Sequence, residues 1–247
     1  MAERDEAPIC SSDGCATPEG VALAANVAAA AGPVHELGIV SDAICPWCYV
    51  GKRRLEKALA MVGEDLRFRI TWHAFELNPQ MPKEGIERRL YRMQKFGSWE
   101  RSLALDAQLA EVGKGDGIAF RYDLIHRTPN TFNAHRLIWF AGKHERQDAM
   151  VETLFRGYFS EGRDIGNASV LADLAAEAGL DRAAVSAFLQ RNEGAAEVQA
   201  EEAIAKNAGL SGVPTFVLDG RVLFSGAQRA DLIAQSLREI TASAAQA

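Results

Sequence analysis

Cys45-Pro46-Trp47-Cys48 lies between an apolar, strand-like run and a helical pattern, and this placement constrains the fold more than any other feature of the chain. Two thiols separated by two residues can close and open a disulfide within one turn of backbone. At the start of a helix, the first thiol meets free backbone N–H groups that stabilise its thiolate. The spacing and setting point to thiol–disulfide exchange, with most of the chain as scaffold for it.

The flanking patterns supply that scaffold. Leu37 to Val40 is a short apolar run that predicts a buried strand, broken at Ser41-Asp42. Pro46 falls in the first helical turn, where its missing N–H costs nothing. Val50, Leu55, Ala58, Leu59 and Val62 recur at helical spacing, and Gly63 marks the stop. Leu66, Phe68, Ile70 and Trp72 alternate with polar residues as a second strand does.

From Pro79 to about Gly194 the pattern turns helical. Residues 86–96 and 99–112 read as helices, the second broken by the glycines at 113–117. Asn130 or Thr131 can cap a helix through Leu137 and Trp139. Further helices are expected over 150–159, 169–178, 181–190 and 197–208. Strands return at 215–218 and 222–224 around Asp219-Gly220, a strong hairpin turn. Residues 230–240 form a last amphipathic helix.

Bulk properties narrow the function classes. The chain has 247 residues and a formal net charge of −6, which suits one sizeable domain and gives no nucleic-acid footprint. No apolar run has the length to span a bilayer. The Ala-rich run 21–31 follows an acidic segment with Arg4 as its one cation, so it lacks the positive start of an export signal. The expected compartment is the reducing cytoplasm, where a close cysteine pair is more often catalytic than structural. All four cysteines, Cys10, Cys15, Cys45 and Cys48, fall in the first fifth of the chain.

Four sequence blocks go further. Ser-Asp-x-x-Cys-Pro-Trp-Cys-Tyr-x-Gly at 41–51 resembles the FrnE branch of the DsbA-like oxidoreductases, as do the blocks at 129–137, 159–165 and 211–216. The resemblance covers about residues 35–240. It implies an α/β protein with a thioredoxin fold and a large helical insertion: a thioredoxin-like domain from 34–80 and 195–247, an inserted helical domain from 81–194, and an N-terminal extension over 1–33. It also implies a dithiol–disulfide oxidoreductase with a redox-active disulfide and no tightly bound cofactor. Cys45 would be the nucleophile and Cys48 the resolving thiol. Pro214 would be cis and packed against the thiols, exposing the Val213 backbone to an extended substrate. Pro46, Trp47, Val213 and Pro214 are thus the expected substrate-binding residues. The expected partners are protein or small-molecule thiols and disulfides, with no oligomeric state fixed. One departure stands out: Ile39 occupies the position, six before the first cysteine, where such relatives place a buried acid. Asp42 is near, with no role assigned.

Blander readings stand beside these. A zinc site usually needs four ligands, and beyond Cys10, Cys15 and distant histidines none is at hand, so no metal is assigned. Pro214 could be a trans proline opening an edge strand, and Trp47 could be packing. Asn130 and His135 fit capping and core packing as well as ligand binding. Lys52-Arg53-Arg54 reads as a solvated helix face. Cys10 and Cys15 are incidental tail thiols, an auxiliary redox pair or metal ligands. Two other functions compete: a glutathione-dependent isomerase or transferase of the kappa type, which needs no second thiol and would make glutathione a co-substrate, and a client binder acting as a chaperone does.

Overall fold

Helix α1 (Pro46–Val62) and helix α9 (Ala230–Ala244) pack together, and α1 follows a four-stranded sheet's first strand directly. The computed structural model describes residues 33–244. The sheet contains β1 (Val34–Ser41), β2 (Arg67–Ala74), β5 (Thr215–Leu218) and β6 (Arg221–Ser225) in the order β2-β1-β5-β6. β1 runs parallel to β2 in a register from Val34↔Arg67 to Ser41↔Ala74, whereas β1–β5 and β5–β6 are antiparallel. Strand, helix, strand, and then a returning hairpin and helix make the thioredoxin arrangement.

Between β2 and the hairpin lie β3 (Ile86–Glu87), α2 (Arg88–Phe96), α3 (Trp99–Gly115), β4 (Arg127–Thr128), α4 (Phe132–Gly142), α5 (Gln147–Phe159), α6 (Ala168–Glu177), α7 (Arg182–Leu189) and α8 (Ala195–Asn207). Helices α5 and α8 contact β2, so the helical block closes over the sheet. One apolar core runs through both parts. It joins Leu37, Ile39, Val50 and Leu55 to Phe216, Leu237, Leu154 and Phe155.

Local chemistry explains most boundaries. Gly63 ends α1 at φ 75, and the hairpin turns on Asp219 (φ 49) and Gly220 (φ 78). Asp219 also accepts the Glu36 N–H at 2.9 Å and pairs with His35 Nδ1 at 2.8 Å, tying the turn to β1. Asn130, rather than Thr131, serves the start of α4: its Oδ1 accepts the Phe132 N–H at 3.0 Å.

Two expectations need correction, and a third gains a reason. Residues 86–87 are a short strand paired with β4, because Glu87 leaves the helix and caps it by accepting the Arg89 and Leu90 N–H groups. Helix α3 runs through Gly113 and ends at Gly115, inside the 113–117 glycine cluster where the break is expected. A Cβ on Gly113 would come within 2.4 Å of the Phe120 ring, so this glycine permits close packing inside the helix. Lys52 is not on a solvated face. It is 4% exposed and meets Glu56 at 2.5 Å, Asp148 at 3.1 Å and Glu152 at 3.4 Å, bridging α1 to α5.

Candidate active site

The turn from β1 into α1 is held by one side chain. Asp42 is fully buried; its Oδ2 accepts the Leu77 N–H at 2.7 Å and its Oδ1 the Ile44 N–H at 3.3 Å. The Cys45 N–H donates to the Asp42 carbonyl at 3.0 Å, which closes the turn. Cys45 is then the N-cap of α1, in extended conformation (φ −89, ψ 111), with Pro46 in the first turn. No acidic residue lies in that first turn, so the positive helix end faces the sulfur unopposed.

Both cysteines are free thiols. Cys48 has no exposed surface, and Cys45 is 5% exposed. The Val213 carbonyl approaches the Cys45 sulfur, accepting from it at 3.6 Å. Burial pushes the Cys48 thiol well above its ordinary range, and the adjoining Cys45 pushes it the same way. Ser41 and the Asp42 backbone pull partly against that rise.

The segment opposite the thiols is fixed by its own bonds. The Val213–Pro214 peptide bond is cis. The Pro214 carbonyl accepts the Gly226 N–H at 2.7 Å, and the Thr215 hydroxyl donates to the Gly212 carbonyl at 2.9 Å. Gly51 in α1 leaves room for the proline ring. Trp47 is 44% exposed beside this edge. Cys45, Pro46, Trp47, Cys48, Val213 and Pro214 thus converge, while Cys10 and Cys15 lie outside the described residues.

A cavity of about 490 Å³ opens from Cys45, Pro46 and Trp47 towards α2 and α3. Its walls are largely apolar and aromatic, with Arg88, Arg92, Lys95 and Asp106 among them. Asp106 pairs with both arginines, at 2.8 and 2.5 Å. Lys95 donates to the Tyr91 hydroxyl at 2.7 Å. The wall therefore holds three cations against one acid. The charge is local to α2 and α3, whose partners in the cavity no periodicity in the sequence reveals.

Comparison with known proteins settles the relationship. The model of the DSBA-like thioredoxin domain matches residues 36–238. The chain belongs to the DSBA-like thioredoxin domain family. It is similar to a probable DsbA oxidoreductase from Streptomyces coelicolor, 35% identical, with 83% of this chain and 89% of that one covered at a TM-score of 0.76. The uncharacterized protein YwbO of Bacillus subtilis is 27% identical over 83% of this chain and 96% of its own length. The cytosolic disulfide reductase DsbM of Pseudomonas aeruginosa, also solved with glutathione, shares the fold at 22% identity and a TM-score of 0.57, with 85% of this chain and 98% of that one covered.

Proposed function

We propose that this DSBA-like protein is a dithiol–disulfide oxidoreductase of the FrnE-like branch. The observation that carries the reading is the asymmetric pair: Cys45 at a helix N-terminus beneath the Val213 carbonyl, and Cys48, whose N–H donates to the Cys45 carbonyl at 3.0 Å, sealed from solvent. The Cys45 thiolate attacks a substrate disulfide, forming a mixed disulfide and releasing one thiol. Cys48 then attacks the Cys45 sulfur, the second substrate thiol leaves, and Cys45–Cys48 is oxidised. The reverse sequence oxidises a substrate dithiol. A kappa-type isomerase needs no second thiol, and the Cys48–Cys45 contact favours the dithiol reading.

The exchange partner we assign is a small anionic disulfide of the glutathione class, acting as co-substrate. The cavity is of ligand size, and its apolar walls carry excess positive charge beside Cys45 in a chain of net charge −6. Extended protein substrates would pair with the Val213 edge. A reducing cytoplasm is the compartment that suits such a pair, and no helix among the described residues is long and apolar enough to cross a membrane.

The test is reduction of oxidised glutathione by the reduced full chain. Cys45→Ser should abolish it. Cys48→Ser should stop at a glutathione adduct on Cys45. Full activity in the Cys45→Ser variant would contradict the proposal.

A further inference from the structure

Two residues in the wall of the Cys45 cavity each carry a buried polar atom that finds no hydrogen-bond partner in the protein: Asn78 Nδ2 and Tyr122 Oη. A buried donor left this way bears its whole desolvation cost, so each calls for an explanation. The Tyr158 hydroxyl, in the same wall, has no such problem, because it donates to the Arg127 carbonyl at 3.3 Å.

The Asn78 amide is held in one orientation. Lys95 Nζ donates to the Tyr91 hydroxyl at 2.7 Å, so that hydroxyl directs its single proton to Asn78 Oδ1, also at 2.7 Å. The amide oxygen is thereby engaged and the NH₂ group is left as a donor. The Tyr122 hydroxyl can donate as well. What both groups lack is an acceptor.

The surrounding charge asks for the same partner. Arg88 and Arg92 share one carboxylate, that of Asp106, at 2.8 and 2.5 Å. The Arg88 guanidinium lies over the Tyr122 ring, 5.4 Å from its centroid. Burial pulls the Arg92 guanidinium below its ordinary value; Asp106 pushes back, and Arg88 adds to the fall. A positive charge is thus left over beside Tyr122. An acceptor that is also an anion meets both needs, and a carboxylate does so with two oxygens. The remaining wall includes Leu105, Leu109 and Phe159, which suit the apolar body that carries it.

We propose that Asn78 and Tyr122, with Arg88 and Arg92 supplying the charge, form a carboxylate subsite in this cavity that selects disulfides bearing a carboxylate on an apolar or peptide body. The inference rests on the reading of Cys45 as the attacking thiol and of this cavity as the seat of its exchange partner. It adds the groups that choose that partner: two uncharged donors in the wall, beyond the exposed Lys95. Tyr91 is a positioning residue that acts through the Asn78 amide.

The test compares two aromatic disulfides of similar size. Dithio-bis-nitrobenzoate carries a carboxylate on each ring, and dithiodipyridine carries none. With either, the Cys45 thiolate bonds to one sulfur, the S–S bond breaks, and the other half leaves with the electron pair as an absorbing thiol. Reduced full-length protein is used with Cys10→Ser and Cys15→Ser, so that the signal comes from Cys45 and Cys48. Rapid mixing over a range of concentrations gives a half-saturating concentration and a limiting rate for each disulfide.

Asn78→Ala and Tyr122→Phe should each raise the half-saturating concentration of the nitrobenzoate disulfide about ten-fold relative to dithiodipyridine, the worth of one hydrogen bond to a charged group. The limiting rates should move far less. Tyr91→Phe frees the Asn78 amide to turn and should shift the same ratio by a smaller factor. Tyr122→Phe removes one oxygen and keeps the ring beneath Arg88, so it serves if Asn78→Ala fails to fold. Apart from any exchange, sulfur-free nitrobenzoate should bind a chain that also carries Cys45→Ser and Cys48→Ser, and adding Asn78→Ala should weaken that binding about ten-fold in calorimetry. Equal shifts for both disulfides, or no shift in any variant, would overturn the subsite and leave the exchange reading standing. A Cys45→Ser chain that releases absorbing thiol at the undiminished rate would overturn the exchange reading, and nitrobenzoate binding would still decide the subsite.

Discussion

A Cβ placed on Gly51 would stand 3.0 Å from Cγ of Pro214 and 3.5 Å from the Phe216 ring. Helix α1 thus carries its glycine where the proline segment crosses it, six residues after Cys45. Gly51→Ala gains about 1 kcal/mol of helix propensity and meets an overpacking cost of about 1–3 kcal/mol. The expected result is a small net loss of stability with exchange slowed severalfold, because the Val213 carbonyl shifts against Cys45. Thermal unfolding and disulfide-reduction rates check it; wild-type exchange would show that the contact does not position the site.

Lys52 sits among three carboxylates. Burial pulls its ammonium down, yet Asp148, Glu56 and Glu152 hold it above the ordinary lysine value. Burial raises the Glu56 carboxyl, and Lys52 with Arg53 outweighs this and lowers it below 4.5. A lowered carboxyl contributes stability above its unfolded pKa and loses it as pH falls through the folded one. Lys52→Met leaves the acids facing one another and should destabilise by about 2 kcal/mol at neutral pH. Melting temperatures should show the deficit shrinking as the pH falls below 4.5; a deficit that grows on acidification would contradict the network.

Glu76 gives the opposite pH dependence. Burial and Glu202 put its folded value at about 7, above 4.5, so the folded protein binds this proton more tightly than the unfolded chain. The resulting stability is complete below 4.5 and is lost as pH rises through 7. Glu76→Gln should match wild type near the lower limit and exceed it by on the order of 2 kcal/mol at mildly alkaline pH. Denaturant unfolding at both pH values decides it, and a variant less stable than wild type at the higher pH would refute the assignment.

Much of this arrangement was legible in the sequence. The strand before Cys45, helix α1 with its stop at Gly63, the Asp219-Gly220 hairpin and the convergence of Cys45, Cys48 and Pro214 follow from periodicity, turn chemistry and four motif blocks. What was not legible depends on contacts distant in sequence. Lys52 looked solvated because Asp148 and Glu152 come about a hundred residues later, on α5. Asp42 had no assigned role until the fold brought the Leu77 N–H to 2.7 Å and His135 to 3.4 Å from its carboxylate. Within the 113–117 break, Gly113 stays helical, and its reason lies outside the helix, in the Phe120 ring that folds back against it.

The cavity wall makes a specificity prediction. Lys95→Glu reverses an exposed cation, each such interaction being worth up to about 1 kcal/mol. KM for oxidised glutathione should rise about three- to ten-fold with kcat nearly unchanged. An uncharged dialkyl disulfide should be unaffected. Equal effects on both substrates would remove the anionic-partner reading.

The most direct measurement maps the product of one turnover. Reduced full-length protein is exposed to oxidised glutathione, quenched with acid, and analysed by intact mass and peptide mapping. The account predicts loss of two hydrogens confined to the segment holding Cys45 and Cys48, with two reduced glutathiones released. A stable glutathione adduct on Cys45 with Cys48 still a thiol would contradict it.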